Sequence, residues 1–127
     1  MNEKLTLLTS NNPTADQVVK FLRGHRIRLA NEAVMQSDVE TILRAQYGDC
    51  VEREARLDAG NRIDFRIGRL GIEIKANRAV PRDTRDQIAR YADTGALDGI
   101  LLITARAVRL GGISVPVAIY ETGRAWL

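Results

Sequence analysis

The sequence predicts an α/β domain in which a mixed β-sheet core is flanked by helices. Residues 61–76 alternate between apolar and charged side chains around a glycine-bounded turn, which is typical of a β-hairpin. Apolar residues recur at helical spacing in residues 31–47, and the apolar run 100–104 suits a buried central strand. With 127 residues, of which 45% are hydrophobic, the chain is large enough to bury a core. We divide this single compact unit into an N-terminal helical extension, residues 1–30, and a main domain, residues 31–127.

Three helices are predicted from their capping residues. Thr14 is a good N-cap for the first helix, and Gly24 is its stop signal. Asn31 is the expected N-cap of the second helix, which ends at Tyr47. The third helix begins at Pro81, because the fixed φ of proline suits the first helical position.

Five strands are predicted around these helices. Residues 50–57 form the first strand, and the turn 58–61 leads from it into the hairpin 61–76, which supplies the second and third strands. The fourth strand, residues 100–104, is expected to pair parallel to the third, because the third helix provides a crossover between them. Residues 115–120 form the last strand.

The hairpin has two possible registers. A turn at residues 68–69, with glycine first as a type II′ turn requires, places Asp64 directly across from Glu73. A turn one residue later places Asp64 across from Lys75 instead. Since opposed residues share a face, either register brings the three charged side chains onto one face.

The apolar residues of the first hairpin strand, Ile63, Phe65 and Ile67, are expected to share the opposite face. Alternating charges are also typical of the solvated side of a half-buried sheet, so two interpretations of the charged face stay open. Two carboxylates that face each other across a ladder are destabilising unless a cation lies between them. The chain has only three lysines against sixteen arginines, and one of those lysines is Lys75. We expect Asp64 and Glu73 to be ionised at neutral pH.

Ile63-Asp64 followed by Glu73-Ile74-Lys75 resembles the PD-(D/E)xK nuclease superfamily, with isoleucine at the place of the motif's proline. Gln87 and Tyr91, four residues apart, are similar to the Gln-x-x-x-Tyr helix motif of the RecB-type branch. The resemblance covers about residues 31–105 and extends to small Holliday-junction-resolvase-like nucleases. It implies a restriction-endonuclease-like fold, a mixed sheet flanked by helices.

The resemblance also implies roles for individual residues. Asp64, Glu73 and Lys75 would be catalytic, and Asp64, Glu73 and the carbonyl of Ile74 would hold Mg²⁺, for which Mn²⁺ would substitute. A glutamate of the preceding helix often completes such a metal site, and Glu32 and Glu40 are both candidates. We prefer Glu32, which borders the core-facing stripe, because Glu40 also has capping-box spacing from Ser37.

The activity implied is a metal-dependent DNA nuclease; an endonuclease is favoured over an exonuclease, and the choice between them stays open. Residues that would contact DNA or support the site are Gln87, Tyr91, Arg62, Arg66, Arg78, Arg82 and Arg85. The alternative is a non-catalytic DNA-binding or protein-interaction module that retains the nuclease fold. The sequence leaves the preferred DNA structure and sequence open.

Composition agrees with these expectations but adds little. The net charge of +3 and the excess of arginine suit a phosphate-rich partner such as DNA. A single cysteine, Cys50, excludes an internal disulfide and favours a reducing compartment. No signal peptide or membrane span is visible, so we expect a cytoplasmic location and no membrane partner. Because a chain of this size cannot encircle DNA alone, a homodimer is a further possibility.

Overall fold

A computed structural model describes residues 12–76 and 81–122. These residues form a mixed α/β structure with three helices and one five-stranded mixed sheet. The helices are α1 (Ala15–Leu22), α2 (Glu32–Tyr47) and α3 (Pro81–Ala92). The strands are β1 (Val51–Asp58), β2 (Asn61–Ile67), β3 (Leu70–Lys75), β4 (Gly99–Thr104) and β5 (Val117–Glu121).

The predicted N-caps of the first two helices are confirmed. The Thr14 hydroxyl accepts from the Gln17 N–H at 3.2 Å, and the Gln17 side chain accepts from the Thr14 N–H at 2.9 Å. This reciprocal capping box satisfies two backbone donors that would otherwise lack partners. The Asn31 side chain accepts from the Val34 N–H at 2.9 Å, so α2 begins at Glu32.

The sheet follows chain order from β1 to β5. The pairs β1–β2 and β2–β3 are antiparallel, whereas β3–β4 and β4–β5 are parallel. The predicted parallel pairing of the third and fourth strands is therefore confirmed, and α3 forms the connection between them. Parallel strands need such a long connection because their starts lie at the same edge of the sheet.

Two apolar layers enclose the sheet. The first lies between the sheet and helices α1 and α2, and includes Val18, Leu22, Met35 and Leu43. The second lies on the α3 side and is formed by Ala55, Ile63, Ile88, Tyr91, Ala92, Leu97, Ile100 and Leu102. Because α1 is part of the first layer, the described part of the N-terminal extension, residues 12–30, packs against the body of the protein.

The hairpin adopts the first of the two predicted registers. Phe65 lies opposite Ile72, and Ile67 lies opposite Leu70, so the turn falls on residues 68–69. Gly68 has a φ of 60°. A positive φ at the first central position is what a type II′ turn requires, and glycine adopts it without steric cost.

The prediction that Ile63 shares a face with Phe65 and Ile67 is wrong. Ile63 lies in the layer on the α3 side, whereas Phe65 and Ile67 lie in the layer on the α2 side. Its partner across the ladder, Ala55, also belongs to the α3 side. The buried side chains of β2 therefore change from the α2 side of the sheet to the α3 side between position 65 and position 63.

The exchange occurs where Glu54 and Asp64 would be opposed. The ladder has pairs on either side of this position but none at it. Glu54 has a φ of 48°, which is unusual for a residue other than glycine. This irregular backbone breaks the strict alternation on which the prediction for Ile63 depended.

The longest helix in the part of the chain that the structure describes is α2, with 16 residues. None of the helices there has both the length and the apolar character needed to cross a membrane.

The cap of α2 holds the start of the helix that carries Glu32, and its contribution can be measured. We expect Asn31→Ala to lower the free energy of unfolding by about 1 kcal/mol, because the Val34 N–H loses its partner. Asn31→Ser should retain most of that stability, since serine also accepts at an N-cap. Urea unfolding of the three proteins measures this. Equal stability of the alanine and serine variants would contradict a role for the cap.

Candidate functional site

Asp64 of β2 and Glu73 of β3 meet where the two strands stop pairing. Beyond the Phe65–Ile72 pair, carboxylates take up the backbone hydrogen bonds. Asp64 Oδ2 accepts from the Ile74 N–H at 2.8 Å, and Glu73 Oε1 accepts from the Asp64 N–H at 3.2 Å. The hairpin thus fixes both carboxylates through the backbone and not only through flexible side-chain contacts.

Lys75 completes this group. Its Nζ lies 3.4 Å from Glu73 Oε2, and the side chains of Glu73 and Lys75 are only 4% and 18% exposed. We call Asp64, Glu73 and Lys75 the carboxylate–lysine cluster. This geometry agrees with the prediction that the two carboxylates and the ammonium lie together. It does not agree with the alternative, that the charged face is the solvated side of a sheet, because Glu73 is buried.

Burial governs the ionisation of both carboxylates. Burial, reinforced by the negative charge of Asp64, raises the pKa of Glu73 from 4.5 to about 8. Burial also raises the pKa of Asp64, and the charge of Glu32 contributes in the same direction. The expectation that both groups are ionised at neutral pH is therefore wrong for Glu73. The sequence contained no measure of how deeply this glutamate is buried.

Tyr91 of α3 covers the cluster from the second apolar layer. It is 4% exposed. Burial raises the pKa of its hydroxyl, and the negative charges of Glu73 and Asp64 act in the same direction. The Gln87 side chain forms a hydrogen bond with Tyr91. The two residues of the predicted helix motif therefore lie on one side of α3, and Tyr91 is close enough to both carboxylates for their charges to act on it.

Glu32 and Glu40, the two candidates on α2, have different surroundings. Glu32 is the first residue of the helix, and its Oε1 lies 3.4 Å from the Ala76 N–H, just beyond the end of β3. After burial, the negative charge of Glu32 is a further cause of the raised pKa of Asp64. Glu40 forms ion pairs with Arg44 and Arg53. The structure thus brings Glu32 towards the cluster and engages Glu40 elsewhere.

The donors at the cluster have the chemistry of a Mg²⁺ site. Mg²⁺ retains several waters and is usually held by one or two carboxylates, so Asp64 and Glu73 are sufficient protein ligands. Ile74 directly follows Glu73 in the sequence, and its carbonyl is a further hard oxygen donor. Within residues 12–76 and 81–122, no set of three or more His, Cys, Asp or Glu side chains converges to hold a metal ion. Glu32 is therefore not assembled with the other two carboxylates into a three-residue ligand set.

The predicted DNA-contacting arginines differ in how they are engaged. Arg66 pairs with Glu52 at 2.9 Å. Arg85 donates to the Gly111 carbonyl at 2.9 Å and contacts Asp86 at 3.1 Å, so its guanidinium is held against a loop.

Arg62 and Arg82 are exposed and available to a ligand. Arg78 lies outside the described residues.

One polar side chain near the helix motif was missed by the sequence reasoning. Thr84 lies on α3, three residues before Gln87, and is 2% exposed. Its hydroxyl has no hydrogen-bond partner in the structure. A threonine in the first turn of a helix carries no pattern that predicts this, because threonine there ordinarily bonds to the local backbone.

A cavity of about 460 Å³ lies at the other end of β3 and β4. It is lined by the start of α1 and the starts of these strands, including Arg69, Asp98 and Gly99, and by none of the cluster residues. We place the functional site at the cluster and not in this cavity, because the cavity lacks a buried ionisable group.

The raised pKa of Glu73 predicts how stability depends on pH. Because the folded protein holds this proton more tightly than the unfolded chain, the stabilising contribution is complete below pH 4.5 and is lost as the pH rises to about 8. We expect Glu73→Gln to be more stable than wild type at pH 8, by an amount on the order of a few kcal/mol. Thermal unfolding between these pH values measures the difference.

Glu40→Gln is the matched control with the opposite sign. Hydrogen bonding and charge from Arg44 and Arg53 lower the pKa of Glu40, so its contribution is present at neutral pH and is lost as the pH falls. This variant should be slightly less stable than wild type at neutral pH. If both variants had the wild-type dependence on pH, burial of Glu73 would not be the cause.

Comparison with known proteins identifies no relative: no protein-family model, no curated protein and no solved structure matches this chain. The function of the chain is therefore inferred from its own residues.

Proposed function

We propose that this protein is a Mg²⁺-dependent deoxyribonuclease that hydrolyses phosphodiester bonds, with Asp64, Glu73 and Lys75 as the catalytic residues. The observation that carries the proposal is the burial of Glu73 beside Asp64, with the Lys75 ammonium 3.4 Å from Glu73 Oε2. Strongly perturbed carboxylates in contact with a specific charged partner are typical of functional sites. A merely solvated sheet face would not desolvate one of its carboxylates.

Asp64 and Glu73 would hold the ion, with the Ile74 carbonyl as a third oxygen donor. When bound, the ion would supply charge neutralisation at the phosphate and acidify a water. Glu73 must lose its proton before it can bind a cation, because its raised pKa keeps it largely protonated at neutral pH. Asp64 is held ready by its hydrogen bond from the Ile74 N–H.

Lys75 would stabilise the charge that develops on the phosphate. Its ammonium is largely buried and held by Glu73, so it needs little reorganisation to act. Tyr91, which is hydrogen-bonded to Gln87, would shield the carboxylates from water and keep them in a low-dielectric environment. Glu32, at the start of α2, would act on the site through its charge and not as a member of the ligand set.

The exposed Arg62 and Arg82 would contact flanking phosphates, for which the guanidinium fork is well suited. Arg66 and Arg85 contribute less to this grip, because Glu52 and Gly111 already engage them. We favour endonuclease activity. An activity that cuts both strands would require a second copy of the chain.

Incubation with a panel of single-stranded, duplex, flap and four-way DNA, with Mg²⁺ and with EDTA, tests the proposal. Cleavage that requires the metal supports it, and the panel identifies the preferred substrate. Binding of DNA without cleavage of any substrate would instead indicate a non-catalytic DNA-binding module.

Lys75→Ala tests the catalytic role of the ammonium. We expect a loss of cleavage rate of about 100-fold or more, with DNA binding largely retained, because the ammonium acts on the reacting groups. Lys75→Arg should also be poor, since a planar fork does not reproduce a compact ammonium. Lys20→Ala, which removes an exposed ammonium from α1, is the control and should cleave normally. A fully active Lys75→Ala variant would refute the catalytic role.

Asp64→Asn tests the metal site independently of cleavage. Mn²⁺ should stabilise the wild type by about 2.7 kcal/mol at a hundredfold excess over its dissociation constant. The variant should lose most of this stabilisation, while its metal-free form melts at or above wild type, because the partly desolvated charge of Asp64 is absent. Asp49→Asn, at an exposed turn, should retain the full effect. Melting curves with and without Mn²⁺ measure it, and an unchanged effect in Asp64→Asn would exclude Asp64 as a ligand.

A further inference from the structure

Two arginines lie opposite each other near the turn that connects β1 and β2. Arg56 and Arg62 are direct partners across the antiparallel ladder, and both are exposed. They line a depression of about 210 Å³ together with the turn residues 58–61. Two arginines with no carboxylate between them in the ladder therefore border one concave surface.

The positive charge of this pair is not neutralised by an ion pair. Neither guanidinium forms a salt bridge with a carboxylate in the described parts of the chain. Asp58 is the carboxylate that lines the depression, and its Oδ1 already accepts from the Gly60 N–H and from Asn61 Nδ2. The depression is lined by one carboxylate, which is hydrogen-bonded within the turn, and by two arginines, so its net charge is positive.

Like charges directly opposite each other in a sheet are destabilising. Elsewhere on these two strands the arginines have carboxylate partners: Arg66 pairs with Glu52, and Arg53 pairs with Glu40. The Arg56–Arg62 pair departs from this pattern. An anion bound between the two guanidiniums would remove the repulsion and accept hydrogen bonds from both forks.

We propose that Arg56 and Arg62 form a binding site for a single phosphate of the DNA backbone. The inference rests on the proposed nuclease function for its choice of ligand. Arg62 lies two residues before Asp64 on β2, a distance of about 7 Å along the strand. Ile63 lies on the α3 side, so alternation places Arg62 and its partner Arg56 on the α2 side, whereas Tyr91 covers the carboxylate–lysine cluster from the α3 side. The pair therefore holds a backbone phosphate apart from the bond that is cut, and it contributes to affinity and not to the chemical step.

DNA binding in EDTA tests this site without any cleavage. Fluorescence anisotropy of a labelled duplex, measured over a range of salt concentrations, gives the affinity and its salt dependence. Each phosphate contact contributes about 0.9 to the slope of log affinity against log salt. We expect Arg56→Gln and Arg62→Gln each to weaken binding and to reduce this slope by about 1. The double variant should lose little more, because both arginines hold one phosphate.

Arg53→Gln is the matched control, since Arg53 lies on the same strand but is paired with Glu40. It should keep the wild-type slope. The proposal is overturned if Arg56→Gln and Arg62→Gln keep the wild-type slope, if Arg53→Gln loses as much as they do, or if the wild type does not bind DNA.

Inorganic phosphate, compared with chloride at equal ionic strength, distinguishes the sources of the ligand. Stabilisation of the wild type but not of Arg56→Gln would show that the site also takes free phosphate. No stabilisation, together with the predicted salt slopes, would assign the site to the DNA backbone alone. Because these measurements need neither metal nor turnover, the phosphate site and the nuclease activity can fail separately.

Discussion

The burial of Glu73 beside a half-buried Asp64, in a sheet covered on both faces, is the constraint on which the site depends. A desolvated carboxylate is unfavourable in its charged form, and a second one beside it makes ionisation harder still. Glu73 responds by a pKa raised to about 8, and Lys75 offsets part of the charge. Asp64 is held instead by a backbone hydrogen bond from Ile74. Without a bound metal ion, the desolvated carboxylates of the cluster are destabilising, as the strained groups of functional sites often are.

The rest of the fold surrounds this pair. The irregular backbone at Glu54 lies opposite Asp64, where the ladder is interrupted and the faces of the strands exchange. Tyr91 on α3 closes the site from one side, and the capped start of α2 brings Glu32 to the end of β3. The two apolar layers thus hold three separate elements against the hairpin. Local sequence produces each element, and the packing of the layers brings their polar residues together.

Sequence reasoning succeeded where the signal is local. The cap at Asn31 and the glycine-first hairpin turn depend on residues a few positions apart; the cap is predicted outright, and the turn is one of the two registers that the sequence allows. It failed where the cause is distant in the chain. Ile63 lies on the α3 side because the strand pair is irregular at Glu54, and the ionisation of Glu73 depends on burial by elements remote in sequence. The engagement of Arg85 by the Gly111 carbonyl likewise joins residues that no spacing rule connects.

Proton release on metal binding tests the central claim most directly, because it reports the buried carboxylates and the cation together. Calorimetric titration of Mn²⁺ at pH 7, in two buffers of different ionisation enthalpy, counts the protons displaced. We expect about one proton per metal ion for the wild type, since Glu73 is protonated before binding, and much less for Glu73→Gln. Metal binding without proton release, or no metal binding at all, would contradict the account.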